Sequence, residues 1–177
     1  MGTARSNPTF DPDRILEILD RHGVDYVLVG GVAARVYGAE RATADIDCVP
    51  ATDEENLQRL ADALVELDAR LRVGGMTDDE ARKLPLRLDA ATLAAFGSST
   101  WTTDAGPLDL LVELRDPSGG RHPYGDLVSR SLDVSVGDLT ISVASLDDII
   151  ASKKYAGRPK DLDALPELQA LRDEDSD

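Results

Sequence analysis

The chain has 177 residues, of which 42% are hydrophobic and only 4% aromatic, so its core must rest on aliphatic side chains. A formal net charge of −15 argues against indiscriminate binding to DNA or to an anionic membrane. No apolar run is long enough to span a bilayer, the N-terminus lacks an apolar signal core, and Cys48 is the single cysteine, so we expect a cytoplasmic protein without membrane association.

Hydrophobic periodicity predicts alternating helices and short strands in the first half of the chain. Apolar residues spaced three and four apart are typical of an amphipathic helix, and short apolar runs bounded by glycine or proline are typical of buried strands. The predicted helices cover residues 11–22, 32–37 and 53–71, and the predicted strands cover residues Tyr26–Val29 and 46–49.

The second half begins with a segment, residues 72–104, that carries no recognisable motif. Within it, residues 74–85 predict a loop or a short helix, and residues 86–96 fit no single element. Farther on, alternating apolar residues predict strands, and Ser145 is a preferred N-cap for a helix. The predicted elements are strands at 100–103 and 108–114, a loop at 116–120, a hairpin at 133–143, and helices at 145–156 and 160–171.

The order of these elements indicates the fold class. Helices that alternate with strands and then close the chain predict an α+β fold, in which a mixed β-sheet is flanked by helices and followed by C-terminal helices. No repeat or linker divides the chain, so we expect a single domain over residues 1–177, with loose tails at 1–9 and 173–177.

Two aspartates, Asp45 and Asp47, stand at the start of the second predicted strand. Because side chains alternate along a strand, both carboxylates point to one face, while Ile46 points into the core. Neighbouring carboxylates repel each other unless a cation lies between them, and Mg²⁺ prefers such oxygen ligands. The pair therefore indicates a metal site for a nucleoside triphosphate; the alternative is a solvated strand end.

Gly30-Gly31 lies between a predicted strand and a predicted helix. Glycine lets backbone N–H groups approach a phosphate closely, although a tight turn without a ligand uses the same residues. Residues 32–44 leave room for one helix and a return to the neighbouring strand, which would put a phosphate site beside the aspartate pair. Asp109, inside an apolar strand, would add a third carboxylate if that strand lies next to the pair, and otherwise faces water at a strand edge. Convergence of the three would permit metal-assisted phosphoryl transfer.

Two segments resemble a known enzyme superfamily. Residues 27–34, VLVGGVAA, followed by residues 41–47, RATADID, resemble the signature of polymerase-β-like nucleotidyltransferases, a glycine turn followed after a spacer by Asp-x-Asp. Residues 145–163, SLDDIIASKKYAGRPKDLD, resemble the lysine-containing segment of the AbiEii/MenT-like branch of that superfamily. The resemblance implies a nucleotidyltransferase-type fold for the chain.

The resemblance also implies a role for each matching residue. Asp45, Asp47 and Asp109 would bind Mg²⁺ or Mn²⁺, or Asp109 would act as a base toward the acceptor hydroxyl. With Lys153, which would stabilise the leaving pyrophosphate, they are the predicted catalytic residues. Helix spacing puts Lys153 on the inward side and Lys154 farther out, which favours Lys153. The predicted nucleotide-binding residues are Gly30, Gly31, Arg41, Lys153, Arg158 and Asp161.

An activity and a set of partners follow from the same resemblance. Members of the superfamily transfer a nucleoside monophosphate from an NTP to an acceptor, and members of the branch are commonly toxins of toxin–antitoxin systems, some of which act on the 3′ end of tRNA. We therefore expect an NTP, an RNA or tRNA acceptor and a cognate antitoxin protein as partners. The alternatives are transfer to a protein or to a small molecule such as an antibiotic, and a non-catalytic protein of this fold that serves as a binding partner.

Overall fold

The fold is built on a mixed β-sheet of seven strands. The computed structural model describes residues 9–175. The strands are β1 (Tyr26–Val29), β2 (Ile46–Pro50), β3 (Arg70–Leu71), β4 (Ser99–Thr103), β5 (Gly106–Leu110), β6 (Glu113–Arg115), β7 (Arg121–Pro123), β8 (Leu132–Val136) and β9 (Leu139–Val143). The helices are α1 (Pro12–Arg21), α2 (Gly30–Val36), α3 (Glu54–Glu66), α4 (Asp78–Arg82), α5 (Ala90–Phe96), α6 (Tyr124–Val128), α7 (Leu146–Ala156) and α8 (Pro159–Glu174). None of the helices within residues 9–175 is both long and apolar enough to cross a membrane.

The strand order in the large sheet is β3-β4-β5-β2-β1-β9-β8, which confirms the predicted α+β fold with a mixed sheet. Strand β2 runs antiparallel to β1 and parallel to β5. In this register Asp47 lies opposite Val29 on one neighbouring strand and opposite Asp109 on the other. The end of β1, which leads directly into Gly30, therefore lies beside the two aspartates.

A buried aliphatic core holds these strands in place. Ile46 on β2 and Leu108 on β5, next to the aspartates in sequence, are fully buried, as the alternation of the strands predicts. Helix α3 packs Leu60 and Leu64 into the same core. Because each side chain of this size contributes about 1.5–3 kcal/mol when it is buried, the core stabilises the register that pairs Asp47 with Asp109.

Two predicted helix boundaries in the first half are wrong. The helix predicted for residues 53–71 ends at Glu66, because Asp68 adopts a left-handed φ of 49°, which a right-handed helix cannot include. The two residues of β3 then pair with β4 at the edge of the sheet. Helix α2 begins at Gly30 and not at residue 32, so the glycine pair forms the first turn of the helix itself.

The strand predicted for residues 108–114 is in fact two strands. Strand β5 ends at Leu110; the N–H of Leu111 still donates to Cys48 O on the neighbouring β2 (2.9 Å), but the N–H of Val112 donates to a side chain, Ser98 Oγ (3.1 Å), and the chain leaves the sheet there. Strand β6 pairs with β7 in a separate two-stranded sheet. The predicted loop at 116–120 is the turn of this hairpin, and the sequence pattern predicts neither β7 nor α6.

The C-terminal region follows the prediction with one extension. The predicted hairpin is β8–β9, and Ser145 caps α7 by accepting from the N–H of Asp148 (3.1 Å). Helix α8 begins at Pro159 and continues to Glu174, so the loose tail predicted from residue 173 is wrong for its first two residues. Of the remaining tail residues, 1–8, 176 and 177 lie outside the described residues.

A tyrosine hydrogen bond links helix α2, which begins at Gly30, to the segment just before α7. Tyr37, which follows the last residue of α2, donates its hydroxyl to Ala144 O (2.8 Å). We expect Tyr37→Phe to lower the free energy of unfolding by about 1 kcal/mol, because this carbonyl loses its side-chain donor. Urea denaturation would measure the loss, with Tyr124→Phe on α6 as the control. Equal stability of the Tyr37 variant and the wild type would contradict the assignment.

Candidate active site

Three aspartates, two on neighbouring strands and one just before the first of these strands, converge on one side of the sheet. Asp47 on β2 and Asp109 on β5 are paired in register, and Asp45 precedes Asp47 by two residues. One carboxylate oxygen of each aspartate lies within 4.8 Å of the other two, and all three residues are half-buried. The structure thus brings together the three carboxylates whose convergence the sequence suggested.

The cluster concentrates negative charge in a partly buried place. Burial first, and then the charges of Asp45 and Asp109, raise the pKa of Asp47 to about 7. Asp109 Oδ1 is buried and has no hydrogen-bond donor within residues 9–175. A buried carboxylate oxygen without a donor is costly, and a divalent cation would both satisfy it and offset the repulsion. The three residues therefore fit a hard cation such as Mg²⁺, which prefers carboxylate oxygens.

Gly30 and Gly31 bring the backbone of α2 against this cluster. Gly30 has a φ of +70°, and a Cβ at that position would overlap the carboxylate of Asp47. A Cβ at Gly31 would lie 2.8 Å from Thr43 Oγ1. Side chains at these two positions would displace residues of the site, so the glycines present backbone to the space in front of the aspartates.

The sequence motifs do not point to Thr43, yet it lies inside the site. Its hydroxyl is 3.3 Å from the carbonyl oxygen of Asp45 and 3.4 Å from Asp45 Oδ1, so it can donate to either. It thereby holds the segment that leads into the aspartate pair. The signal that was available is its position two residues before Asp45, where a hydroxyl precedes the carboxylates.

Lys153, Arg158 and Asp161 form an ion-pair group between α7 and α8. Asp161 is only 2% exposed; Lys153 Nζ lies 3.6 Å from its Oδ1 and Arg158 Nε 2.6 Å from its Oδ2. Burial opposes ionisation of Asp161, but the Arg158 hydrogen bond and the charges of Arg158 and Lys153 hold its pKa below the usual range. Lys153 is half-buried and Lys154 exposed, as helix spacing predicted. Arg158, not Asp161, occupies the N-cap of α8, so Asp161 orients the two cations and does not cap the helix.

A single cleft of about 990 Å³ contains all of these groups. Its lining includes every residue predicted for the site: Gly30, Gly31, Arg41, Asp45, Asp47, Asp109, Lys153, Arg158 and Asp161. Arg41 reaches across to α8, where its Nη1 lies 3.4 Å from Lys160 O. The predicted nucleotide-binding residues are therefore brought together with the aspartate cluster.

The hairpin of β6 and β7 adds cleft residues that no motif indicates. Arg115 and Arg121 line the cleft and share Glu113, whose Oε1 lies 3.0 Å from Arg115 Nε and 2.8 Å from Arg121 Nε. The two arginines are in register on paired strands. Their position depends on the bend after β5, so the local sequence contains no sign of it.

The arrangement suits the binding of a metal-bound polyphosphate. One wall of the cleft presents carboxylates that can hold a divalent cation, and another presents the Lys153 and Arg158 cations that can neutralise phosphate oxygens. Between them the glycine backbone leaves space for a ligand to approach closely. Such a site can align a nucleoside triphosphate for attack at phosphorus.

Solved structures similar to this chain share its fold. The lincosamide antibiotic adenylyltransferase LnuA, solved with lincomycin, has a TM-score of 0.57 at 17% identity, over 90% of this chain and 95% of that one. A putative nucleotidyltransferase from Thermotoga maritima has a TM-score of 0.53 at 16% identity, over 91% and 95%. ANT(2")-Ia in complex with adenylyl-2"-tobramycin has a TM-score of 0.54 at 14% identity, over 92% and 93%. At these identities the likeness concerns the fold.

A family model identifies the family to which the chain belongs. No curated protein sequence matches it significantly. The family model described as "Nucleotidyl transferase AbiEii toxin, Type IV TA system" matches residues 14–162, which include β1, the aspartate cluster and the group of Lys153, Arg158 and Asp161. The protein is a nucleotidyltransferase and belongs to the AbiEii family.

Proposed function

We propose that the protein transfers a nucleoside monophosphate from an NTP to the end of an RNA, with tRNA as the preferred class of acceptor, in a reaction that depends on Mg²⁺ or Mn²⁺. We further propose that this reaction makes it the toxin of a toxin–antitoxin pair, with a cognate antitoxin protein as its partner. The observation that carries the chemistry is the convergence of Asp45, Asp47 and Asp109 in the cleft that also contains Lys153 and Arg158. The membership of the AbiEii family supports the toxin role.

The three aspartates are the proposed metal ligands. When bound there, a divalent cation would neutralise phosphate oxygens and polarise the reacting phosphorus. Asp47, whose carboxylate lies against Gly30, would hold the metal next to the triphosphate. Asp109, whose Oδ1 has no donor within residues 9–175, is the candidate to accept the proton of the acceptor hydroxyl or to ligate the metal.

The remaining site residues would handle the nucleotide. Gly30 and Gly31 would admit the triphosphate, and Arg41 lies at the same cleft. The acceptor hydroxyl oxygen would form a bond to the α-phosphorus as the bond to pyrophosphate breaks, and the proton would pass to a carboxylate. Lys153, held by Asp161, would offset the charge that develops on pyrophosphate, and Arg158 would add to the same field.

The experiment that tests this proposal is label transfer. The protein would be incubated with each α-labelled NTP, Mg²⁺ and total tRNA, and labelled RNA should appear only with an active protein. EDTA should abolish the transfer. Transfer of label to a protein or to an antibiotic would show that the acceptor is one of these alternatives and not RNA. If neither NTP-dependent thermal stabilisation nor transfer occurs, the catalytic proposal is wrong and a binding role is favoured.

The toxin role has a separate test in cells. Induced expression should arrest growth, and co-expression of the cognate antitoxin should restore it. A catalytically disabled variant such as Asp45→Asn should be harmless at the same expression level. Growth arrest by that variant would show that toxicity does not require nucleotidyl transfer.

A further inference from the structure

Asp109 borders the main cleft and also two smaller cavities, of about 470 and 660 Å³. Both smaller cavities are lined by Arg72, Val73 and Gly74, which follow the edge strand β3. In the sheet, β4 and β3 lie on one side of Asp109, and β2 and β1, with Gly30, lie on the other. The site is therefore open on two sides of the carboxylates, and only one side contains the glycine pair and Lys153.

This second side has an apolar surface. Among the ten large hydrophobic residues that are exposed within residues 9–175, three border it: Val73 (39%), Met76 (40%) and Phe96 (38%). Phe96 and Val73 line the 470 Å³ cavity, and Met76 lines the 660 Å³ cavity. Exposed apolar side chains concentrated around a reacting carboxylate indicate a ligand surface.

Arg72 gives this surface a positive charge. Its side chain is exposed and forms no ion pair within residues 9–175, whereas its neighbour Arg70 is paired with both Asp68 and Asp78. The backbone N–H of Arg72 donates to Thr100 O (2.8 Å), which anchors the residue beside β4. Among the described residues 9–175, Arg72 is the one charged residue besides the aspartates of the cluster that lines the two smaller cavities.

We propose that these two cavities bind the acceptor, and that it is the end of a single-stranded RNA. The inference rests on the proposed function, because attack in line with the leaving pyrophosphate requires the acceptor to approach from the side away from Lys153. The acceptor hydroxyl would face Asp109, a base would lie against Val73, Met76 and Phe96, and a phosphate would pair with Arg72. With the aspartates compensated by metal, the charge that remains is that of Arg72, which favours an anionic acceptor over a cationic antibiotic.

Direct RNA binding tests this assignment. Fluorescence anisotropy would follow a labelled single-stranded RNA with a free 3′ hydroxyl, in Mg²⁺ and a non-hydrolysable NTP, for the whole chain. We expect Arg72→Ala to weaken RNA binding about tenfold and to lower the slope of log affinity against log salt by about 0.7, as for the loss of one phosphate contact. Arg72→Lys should restore part of the affinity. Thermal stabilisation by the NTP should be unchanged.

Lys83→Ala is the matched control, because Lys83 is an exposed cation of the same region that lines none of the three cavities. Wild-type affinity in the Arg72→Ala variant, or an equal loss in the Lys83→Ala variant, would overturn the proposal. Transfer of label to an antibiotic or a protein, without RNA binding, would also overturn it while the nucleotidyl transfer stands. If the wild type gains no stability from an NTP, the proposed function itself fails and this assignment fails with it.

Discussion

Asp47→Asn should abolish nucleotidyl transfer and, in the absence of divalent metal, make the folded protein more stable. We expect activity to fall by roughly 1,000-fold or more, because a lost metal ligand removes several kcal/mol of charge stabilisation in the transition state. Stability should rise by about 2 kcal/mol at pH 8, because the charged Asp47 is half-buried beside Asp45 and Asp109, and an amide in its place is not repelled by them. Calorimetry in EDTA and the label-transfer assay would measure the two effects.

The pH dependence of this stability difference has a definite sign. The pKa of Asp47 is raised to about 7 in the folded protein, so between about pH 4 and pH 7 the folded state holds a proton that the unfolded state has released. Wild-type stability must therefore fall relative to the variant as pH rises through that window, and the difference is complete above pH 7. Asp138→Asn, at an exposed hairpin turn, is the control. A variant that loses activity and stability together would contradict the interpretation of a repulsive cluster.

Lys153→Ala should reduce the transfer rate roughly 100- to 1,000-fold, whereas Lys154→Ala should leave it within about twofold. The two lysines are adjacent on α7, but Lys153 is held near the cleft by Asp161 and Lys154 is exposed. Because the charge on pyrophosphate grows during the reaction, the loss should fall mainly on kcat and less on KM for the NTP. Steady-state kinetics of the two variants would measure this difference.

This pair of variants is a matched control, since residue type, charge and helix are the same. Unfolding measurements should find both close to the wild type, because Asp161 keeps Arg158 as a partner when Lys153 is removed. Equal kinetic losses in the two variants would mean that both lysines act through their positive charge alone, without a contact specific to Lys153. A loss confined to Lys154→Ala would reverse the assignment.

Most of the elements near the site could be predicted from local patterns. The alternation of Asp45, Ile46 and Asp47 indicates which side chains share a face, and the structure has Ile46 buried and both carboxylates in the cleft. Boundaries were predicted less well where backbone conformation overrides periodicity. The left-handed Asp68 ends α3 early, although the apolar pattern continues beyond it.

The bend after β5 shows a second limit. Residues 108–114 are uniformly suited to a strand, but only the N–H of Leu111 still donates to β2, at Cys48 O, whereas the N–H of Val112 donates to the side chain of Ser98. The hairpin of β6 and β7 follows this departure from the sheet and brings Arg115 to the cleft. No local pattern specifies hydrogen bonds between such distant segments.

The sequence by itself determined the local features of the candidate site: a glycine pair, two aspartates that point to one side of the sheet, and a lysine on the inward side of a helix. Each of these depends only on spacing along one element, which the geometry of strands and helices converts into a shared face. Only the tertiary structure decided which strand lies beside β2, and therefore that Asp109 joins the pair. It alone also put Arg72 and the exposed apolar residues at the two smaller cavities beside Asp109, because strand order and loop packing arise from contacts between distant parts of the chain.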